Sequence, residues 1–315
     1  MNPLNLLCLG TTPAAQRVMV FRKLSLDAVN RAASTLDGAA GKSINVAKVL
    51  QSLGEHPVAI GFLGGDRGDF IRARLAEAGI EHEFVTVSTR TRQCVTVIDE
   101  SAGTQTELVE ESAAVRAPDV TALLDVLRRR LPAARALILS GTVAPGCPPD
   151  FYHQCAVLAC EAGVPAILDA QGPALFGALP AKPWLVKPNR AELAASFQRP
   201  LPDDASVRRA MRELHEGGAA QVVITDGKKP ALATDGRRSW KIFAPEIQAV
   251  NPIGSGDAFT AALSSRLLHG DDLGAACRWA CAAGAANALT LMAGEIDPAE
   301  VPRLAGAVRV ELQKP

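Results

Sequence analysis

The chain has 315 residues, with 33 Lys+Arg against 33 Asp+Glu, so no charge excess is available to hold a polyanion, and neither nucleic acid nor a membrane surface is an expected partner. An apolar fraction of 48% supports a full core, and only 4% aromatic residues makes that core one of Ala, Leu and Val. No apolar run approaches the roughly 20 residues that span a bilayer, and the apolar patch of MNPLNLLCLG has no positive residue ahead of it, so no secretory signal is expected.

In chain order, near-continuous apolar runs at 4–9, 58–63, 136–140, 166–169, 185–187 and 222–225 read as strands buried on both faces of a parallel sheet. Between them, 44–53, 70–77, 120–131, 151–162 and 204–216 read as helices. The last has Val207, Met211 and Leu214 on one face, an Asp to cap its start and Gly217-Gly218 to stop it. This alternation is the mark of βαβ units. Ligands of such sheets sit beyond the carboxyl ends of the strands. Ser140-Gly141-Thr142, Asp169, Lys187-Pro188-Asn189 and Thr225-Asp226-Gly227 all fall there.

One region breaks the rhythm. From His82 to Glu111 the sequence reads as strands without a helix, with 94–99 and 104–109 alternating around a turn at 99–103. Residues 16–21 have the same character. Strands from about 12–22 and 82–111 would form a small β lid over an active site; the bland alternative is an edge extension of the main sheet. No repeats or linkers appear, so 1–315 is read as a single domain. The seven cysteines form no C-x-x-C pair, and Cys277 and Cys281 lie one turn apart in an apolar helix, which favours core over metal site. The five histidines are scattered. A reduced, cytoplasmic protein without a structural metal is the expectation.

The most informative stretch is Asn251-Pro252-Ile253-Gly254-Ser255-Gly256-Asp257. Three small residues deliver a carboxylate onto the start of an apolar helix at 258–268. A glycine-rich turn feeding a helix N-terminus points backbone N–H groups at one spot and adds the helix dipole, a cradle for phosphate. An aspartate beside it can serve as the base for a hydroxyl attacking phosphorus. The local alternative is a helix N-cap, and local grounds leave both open. Ala39-Ala40-Gly41-Lys42-Ser43 is not a P-loop, because the first glycine of that motif would fall on Leu36 and 31–37 is not a buried strand. Read alone, Lys42 is a solvated lysine.

Gly41-Lys42-Ser43-Ile44-Asn45-Val46-Ala47, with Leu53-Gly54 and Gly61-Phe62-Leu63-Gly64-Gly65, resembles the N-terminal signature of the ribokinase-like (PfkB-type) carbohydrate kinases. The stretch 251–257 is similar to their C-terminal signature. Ser140 to Gly146, Lys187 to Glu192 and Ala283 to Ala288 follow in the family's order, so the resemblance covers nearly the whole chain. Lys42, and Thr91-Arg92 ahead of the lid hairpin, are similar to the hexose-phosphate branch that contains 1-phosphofructokinase, PfkB-type 6-phosphofructokinase and tagatose-6-phosphate kinase.

The resemblance implies a ribokinase-like α/β fold, a mainly parallel helix-flanked sheet with a small β lid, acting as a Mg2+- and ATP-dependent sugar kinase. Asp257 would be the general base, with the N–H groups of Gly254, Ser255 and Gly256 holding developing phosphoryl charge. Asn189 and Glu192 would order Mg2+ through water. Lys187 would approach the nucleotide phosphates, Thr225 and Gly227 would line the nucleotide site, and Asn287 would lie near the base. Lys42 and Arg92 would grip the phosphate already on the sugar, with Gly41, Asn45, Ser140 and position 16 completing the acceptor site. The expected partners are a sugar phosphate and ATP, with a homodimer through the lid as the assembly.

Departures bear on the acceptor. The family's N-P-x-x-D element reads Thr12-Pro13-Ala14-Ala15-Gln16 here, so Gln16 stands where an Asp is usual. Ser43 and Pro230 replace usual glycines. The expected reaction is γ-phosphoryl transfer to a hexose monophosphate of the fructose 1-phosphate, fructose 6-phosphate or tagatose 6-phosphate type. The alternatives are a catalytically weak sugar- or nucleotide-binding regulator, and a kinase of an unphosphorylated sugar or nucleoside.

Overall fold

The computed structural model describes residues 5–313. The first half holds β1 (Asn5–Gly10), β2 (Ala14–Phe21), β3 (Ser34–Ala40), α1 (Lys42–Ser52), β4 (Pro57–Leu63), α2 (Gly65–Glu77), β5 (Glu81–Thr86), β6 (Arg92–Asp99), β7 (Thr104–Val109), α3 (Ala117–Arg130), β8 (Ala134–Ser140) and α4 (Phe151–Glu161). The second half holds β9 (Ala166–Asp169), α5 (Gly172–Ala178), β10 (Leu185–Val186), α6 (Arg190–Ser196), α7 (Asp204–Glu216), β11 (Gln221–Asp226), β12 (Lys229–Thr234), β13 (Ser239–Phe243), α8 (Ser255–Leu268), α9 (Leu273–Ala288), α10 (Glu300–Ala307) and β14 (Arg309–Gln313). Leu4, which the sequence assigns to the first strand, lies outside the described residues.

A ten-stranded sheet runs in the order β14-β13-β12-β11-β10-β9-β8-β1-β4-β5. Its strands from β11 to β5 are parallel. Neighbouring strand residues point to opposite faces, and this alternation splits the core in two. Leu6 and Cys8 of β1 and Ala136 and Ile138 of β8 join α1, α2, α8, α9 and α10 on one face. Leu7, Leu9, Leu137 and Leu139 join α3, α4, α5, α6 and α7 on the other. Burial on both faces is why these strands read as unbroken apolar runs.

The second sheet has the order β3-β2-β6-β7 and forms the lid. Its own small core is Val18, Val20 and Ile98 packed on Met292. The lid differs from the sequence expectation at two strands. Residues 81–86 are not lid: β5 pairs parallel with β4 as the edge of the main sheet, and Phe84 sits in the core beside Gly61. Edge exposure leaves Glu81 and His82 polar, which hid this strand's allegiance. The lid instead gains β3, antiparallel to β2, whose Ser34–Asp37 portion is exposed and carries no apolar signal. The antiparallel extension β12, β13 and β14 was also not legible as strands, being short and half polar.

Candidate active site

The carboxyl ends of β1, β8, β9, β10 and β11 and the inner face of the lid enclose a cleft of about 460 Å3. The turns that shape it are pinned. Thr11 Oγ1 donates to the Thr142 carbonyl at 3.0 Å and accepts from the Ala144 N–H at 2.8 Å. Tyr152, fully buried, donates its hydroxyl toward the Ser140 and Gly141 carbonyls. Gly41 has φ of 109°, and a Cβ there would meet Pro13 Cα at 2.8 Å. Only glycine lets α1 begin this close to the end of β1.

Asp257 lies in the first turn of α8, not ahead of it. Gly254, with φ of 87°, occupies the cap position, and no side chain caps the helix. The carboxylate instead faces the cleft, 6% exposed, and accepts a 2.7 Å hydrogen bond from Asn45 Nδ2. Burial pushes its pKa up to about 7; Asp169 adds to this, while Lys42, the Asn45 bond and Lys187 oppose it. A carboxylate poised there is half ionised at neutral pH and can take a proton. The Ser255 N–H is committed to the Pro252 carbonyl at 3.1 Å. Gly256, where a Cβ would meet only Lys187 Nζ at 3.9 Å, is the open part of the cradle.

Asp169, at the end of β9, organises the floor of the cleft. It is 1% exposed. Its Oδ2 lies 3.2 Å from Lys187 Nζ and accepts from Thr260 Oγ1 at 2.9 Å, and its Oδ1 lies 3.4 Å from Lys42 Nζ. Burial works against its charge, but Lys187, Lys42 and Thr260 together hold its carboxyl below the usual range. Sequence reasoning placed Asp169 at a strand end without giving it a role. A carboxylate closing a fully buried strand was the available signal, since such a group demands cationic partners.

Lys42, the first residue of α1, is not a free surface lysine. Its Nζ donates to Glu192 Oε1 at 2.9 Å. Burial disfavours its charge, yet Asp169, Glu192 and Asp257 outweigh that and raise its pKa. Glu192 and Asn189 form a reciprocal cap on α6: Asn189 Oδ1 accepts from the Glu192 N–H, and Glu192 Oε2 from the Asn189 N–H, both at 2.8 Å. Only Glu192 Oε1 thus remains turned to a cation. Among the described residues no group of three or more His, Cys, Asp or Glu could hold a metal directly. The donor set is hard oxygen with few free positions, which suits a cation that keeps its own waters, as Mg2+ does.

On the lid side, Gln16 is 3% exposed and lines the cleft, with Nε2 donating to Thr96 Oγ1 at 2.7 Å. Arg92 lines it too, with Nε and Nη2 on the Thr12 carbonyl and Nη1 on that of Glu110. Asn45 Oδ1 is buried without a hydrogen-bond partner, an acceptor left over after Nδ2 binds Asp257. Ser43 fits because its neighbour is Gly10, where a Cβ would lie 2.3 Å from Ser43 Oγ.

Lys187, Asn189, Thr225, Gly254 and Gly256 join these at the cleft. Four residues singled out in the sequence do not line it. Asn287 is fully buried: Nδ2 donates to the Ile253 carbonyl at 2.9 Å, and Oδ1 accepts from the Gly294 N–H at 2.8 Å. It holds the loop before α8 rather than facing a ligand. Gly227 serves the β11–β12 turn with φ of 58°. Ser255 packs behind the cradle, its backbone oxygen facing Gly284 of α9. Ser140 is buried, its Oγ without a partner.

Residues 4–299 match the sequence profile of the pfkB family carbohydrate kinases. The chain belongs to that family. It is a carbohydrate kinase, a phosphotransferase acting on an alcohol group. Phosphofructokinase-2 from Escherichia coli, solved in complex with fructose-6-phosphate, is 27% identical with a TM-score of 0.86 over 97% of this chain and 99% of that one. The tetrameric inhibited form of the same enzyme gives the same identity, TM-score and coverage. A Thermotoga maritima protein described as a possible 1-phosphofructokinase is similar in fold at a TM-score of 0.91, with 23% identity over 98% and 100% of the two chains. Among the described residues no helix is long and apolar enough to cross a membrane.

Proposed function

We propose that this kinase transfers the γ-phosphoryl group of ATP to a hydroxyl of a hexose monophosphate of the fructose- or tagatose-phosphate type, giving a bisphosphate. The observation that carries the reading is Asp257, a buried carboxylate with a pKa of about 7 held by Asn45 at the mouth of a glycine-lined helix N-terminus. In this reading Asp257 Oδ takes the acceptor hydroxyl's proton as that oxygen bonds to the γ-phosphorus and the bond to ADP breaks. Asn45 fixes the carboxylate and offers Oδ1 to a neighbouring hydroxyl. The Gly254 and Gly256 backbone and Lys187 stabilise charge on the phosphoryl group. Thr225 and Asn189 border the donor. Mg2+, when bound, would neutralise phosphate charge, held through water by Glu192 and Asn189. Lys42 from the floor and Arg92 from the lid are the two cations for the acceptor's phosphate.

One observation favours a second reading, an unphosphorylated acceptor. Both cations are engaged, Lys42 by Glu192 and Asp169 and Arg92 by backbone carbonyls. A coupled ATPase screen over fructose 1-phosphate, fructose 6-phosphate, tagatose 6-phosphate and their free sugars separates the two. Turnover restricted to free sugars refutes the hexose-phosphate reading.

Assembly through the lid belongs to the same proposal. The outer lid face carries Met19 opposite Val97 and Val95 opposite Leu108, with Leu108 55% exposed. Such a face gains by pairing with a second copy. A cytoplasmic setting fits as well, since all seven cysteines are free thiols.

A further inference from the structure

The inner lid face presents a row of polar side chains set by strand register. β2 pairs with β6 at Gln16↔Cys94, and β6 pairs with β7 at Thr96↔Glu107. Period-two alternation therefore puts Gln16, Thr96 and Glu107 on one face, and Gln16 and Glu107 both line the cleft. The amide of Gln16 is oriented by its donation to Thr96 Oγ1 at 2.7 Å. That bond leaves Gln16 with a single acceptor atom and no charge.

The other cleft carboxylates of the sheet side are committed: Asp169 to Lys187, Lys42 and Thr260, Glu192 to Lys42 and Asn189, and Asp257 to Asn45. Among the described residues the Glu107 side chain has no hydrogen-bond or ion-pair partner, and only the charge of Arg92 acts on it. Glu107 is an exposed residue at the lid edge of the cleft; neighbouring atoms still raise its carboxyl's pKa by partial desolvation, and the charge of Arg92 opposes that. Glu111 also lines the cleft, but it lies past the end of β7 and outside the strand register.

We infer that Glu107 is a specificity-determining residue whose carboxylate accepts hydrogen bonds from hydroxyls of the acceptor at the lid end of the cleft. An ionised carboxylate offers two oxygens and no donor, so it accepts from two neighbouring hydroxyls at once, whereas an amide accepts from one and must donate to the other. Its negative charge also keeps the acceptor's phosphate off Glu107 itself and leaves it to Arg92 and Lys42. The acceptor class is thus one with adjacent free hydroxyls on the side remote from its phosphate. The assignment rests on the kinase reading above and refines its acceptor end.

The test is steady-state kinetics of Glu107→Gln and Glu107→Asp on the full chain, over the phosphorylated and free sugars. Charge-assisted bonds to a sugar hydroxyl set the scale. For Glu107→Gln, KM for the acceptor should rise about ten- to a hundred-fold, with kcat and KM for ATP changed less than about two-fold, and Glu107→Asp should recover part of the loss. Deoxy acceptors lacking the contacted hydroxyl should erase the difference between natural protein and Glu107→Gln. Unchanged acceptor KM in Glu107→Gln, with hexose phosphates good substrates, overturns the Glu107 assignment alone. Turnover of free sugars only, with the KM effect present, overturns the hexose-phosphate reading and upholds Glu107. Absence of turnover with every acceptor overturns both.

Discussion

Replacing Asp257 with Asn keeps the shape of the side chain and its bond from Asn45, and removes only the ability to take a proton. If Asp257 is the base, kcat should fall about 10²–10⁴-fold while KM for either substrate changes little. In the natural protein kcat/KM should rise as pH passes about 7, where Asp257 ionises. The same group makes a second, independent demand on stability. Its pKa rises on folding from 3.8, the ordinary value of a solvated aspartate, to about 7, so its contribution favours the fold at low pH and is lost as pH rises through 7. By linkage, the cost of the buried carboxylate grows from about 2 kcal/mol at pH 5 to about 4 kcal/mol at pH 8. Asn has no such dependence. The stability of Asp257→Asn relative to the natural protein should therefore improve by about 2–3 kcal/mol between those pH values. With an unfolding entropy of about 2.1 cal/mol/K per residue, that is roughly 4 °C in Tm for 315 residues. Thermal denaturation at pH 5 and pH 8, beside kinetics, measures both. A kcat within ten-fold of natural would refute the base, and a pH-independent stability difference would refute the buried, proton-holding carboxylate.

Lys42→Met should raise KM for a sugar phosphate about ten- to a hundred-fold, with a much smaller change in KM for ATP. Because Lys42 is the main charge holding the Asp257 pKa down, the inflection in kcat/KM should also move above pH 7. An unmoved inflection would separate Lys42 from the base. Gly254→Ala places a Cβ 2.9 Å from the Gly294 nitrogen at φ of 87°; the left-handed backbone alone costs about 1–2 kcal/mol, to be read by urea denaturation. Leu108→Lys puts a charge on the outer lid face and should shift a lid-mediated dimer to monomer in sedimentation, with monomer mass in the natural protein arguing against that assembly.

What the sequence made legible follows from what burial does to composition. β1, β4, β8 and β9 are covered on both faces, so they read as apolar runs whose type and order are plain. β5 has Glu81 and Glu83 at a sheet edge, and β3 has Ser34, Thr35 and Asp37 in solvent. Neither carries a face that a pattern can find. In the site, the glycine-rich turn announced Asp257, but not its pKa, which depends on Asn45, Lys42 and Asp169 arriving from other elements. Asn287 looked like a ligand residue because nothing in Ala283 to Ala288 reveals that both ends of its amide are spent on the loop ahead of α8 and the one after α9. Lys42 looked solvated because its partner Glu192 is 150 positions away.

Lys42 also joins the two halves of the proposed reaction. On one side it touches Glu192 and Asp169, the carboxylates of the donor floor; on the other its charge reaches Asp257, the base of the acceptor half. Asp169, Glu192, Asp257, Glu107 and Glu111 face the cleft against Lys42, Lys187 and Arg92, so the acids outnumber the bases before any phosphate enters. Two anionic substrates can share such a cleft only if cationic charge comes with the nucleotide. That charge would take over Glu192 from Lys42 and free the lysine for the acceptor's phosphate. A lysine placed between the two carboxylates thereby makes occupation of the donor side and grip on the acceptor interdependent. In kinetic terms, KM for a phosphorylated acceptor should fall as Mg2+ and nucleotide saturate, whereas KM for its free-sugar counterpart, which needs nothing from Lys42, should not.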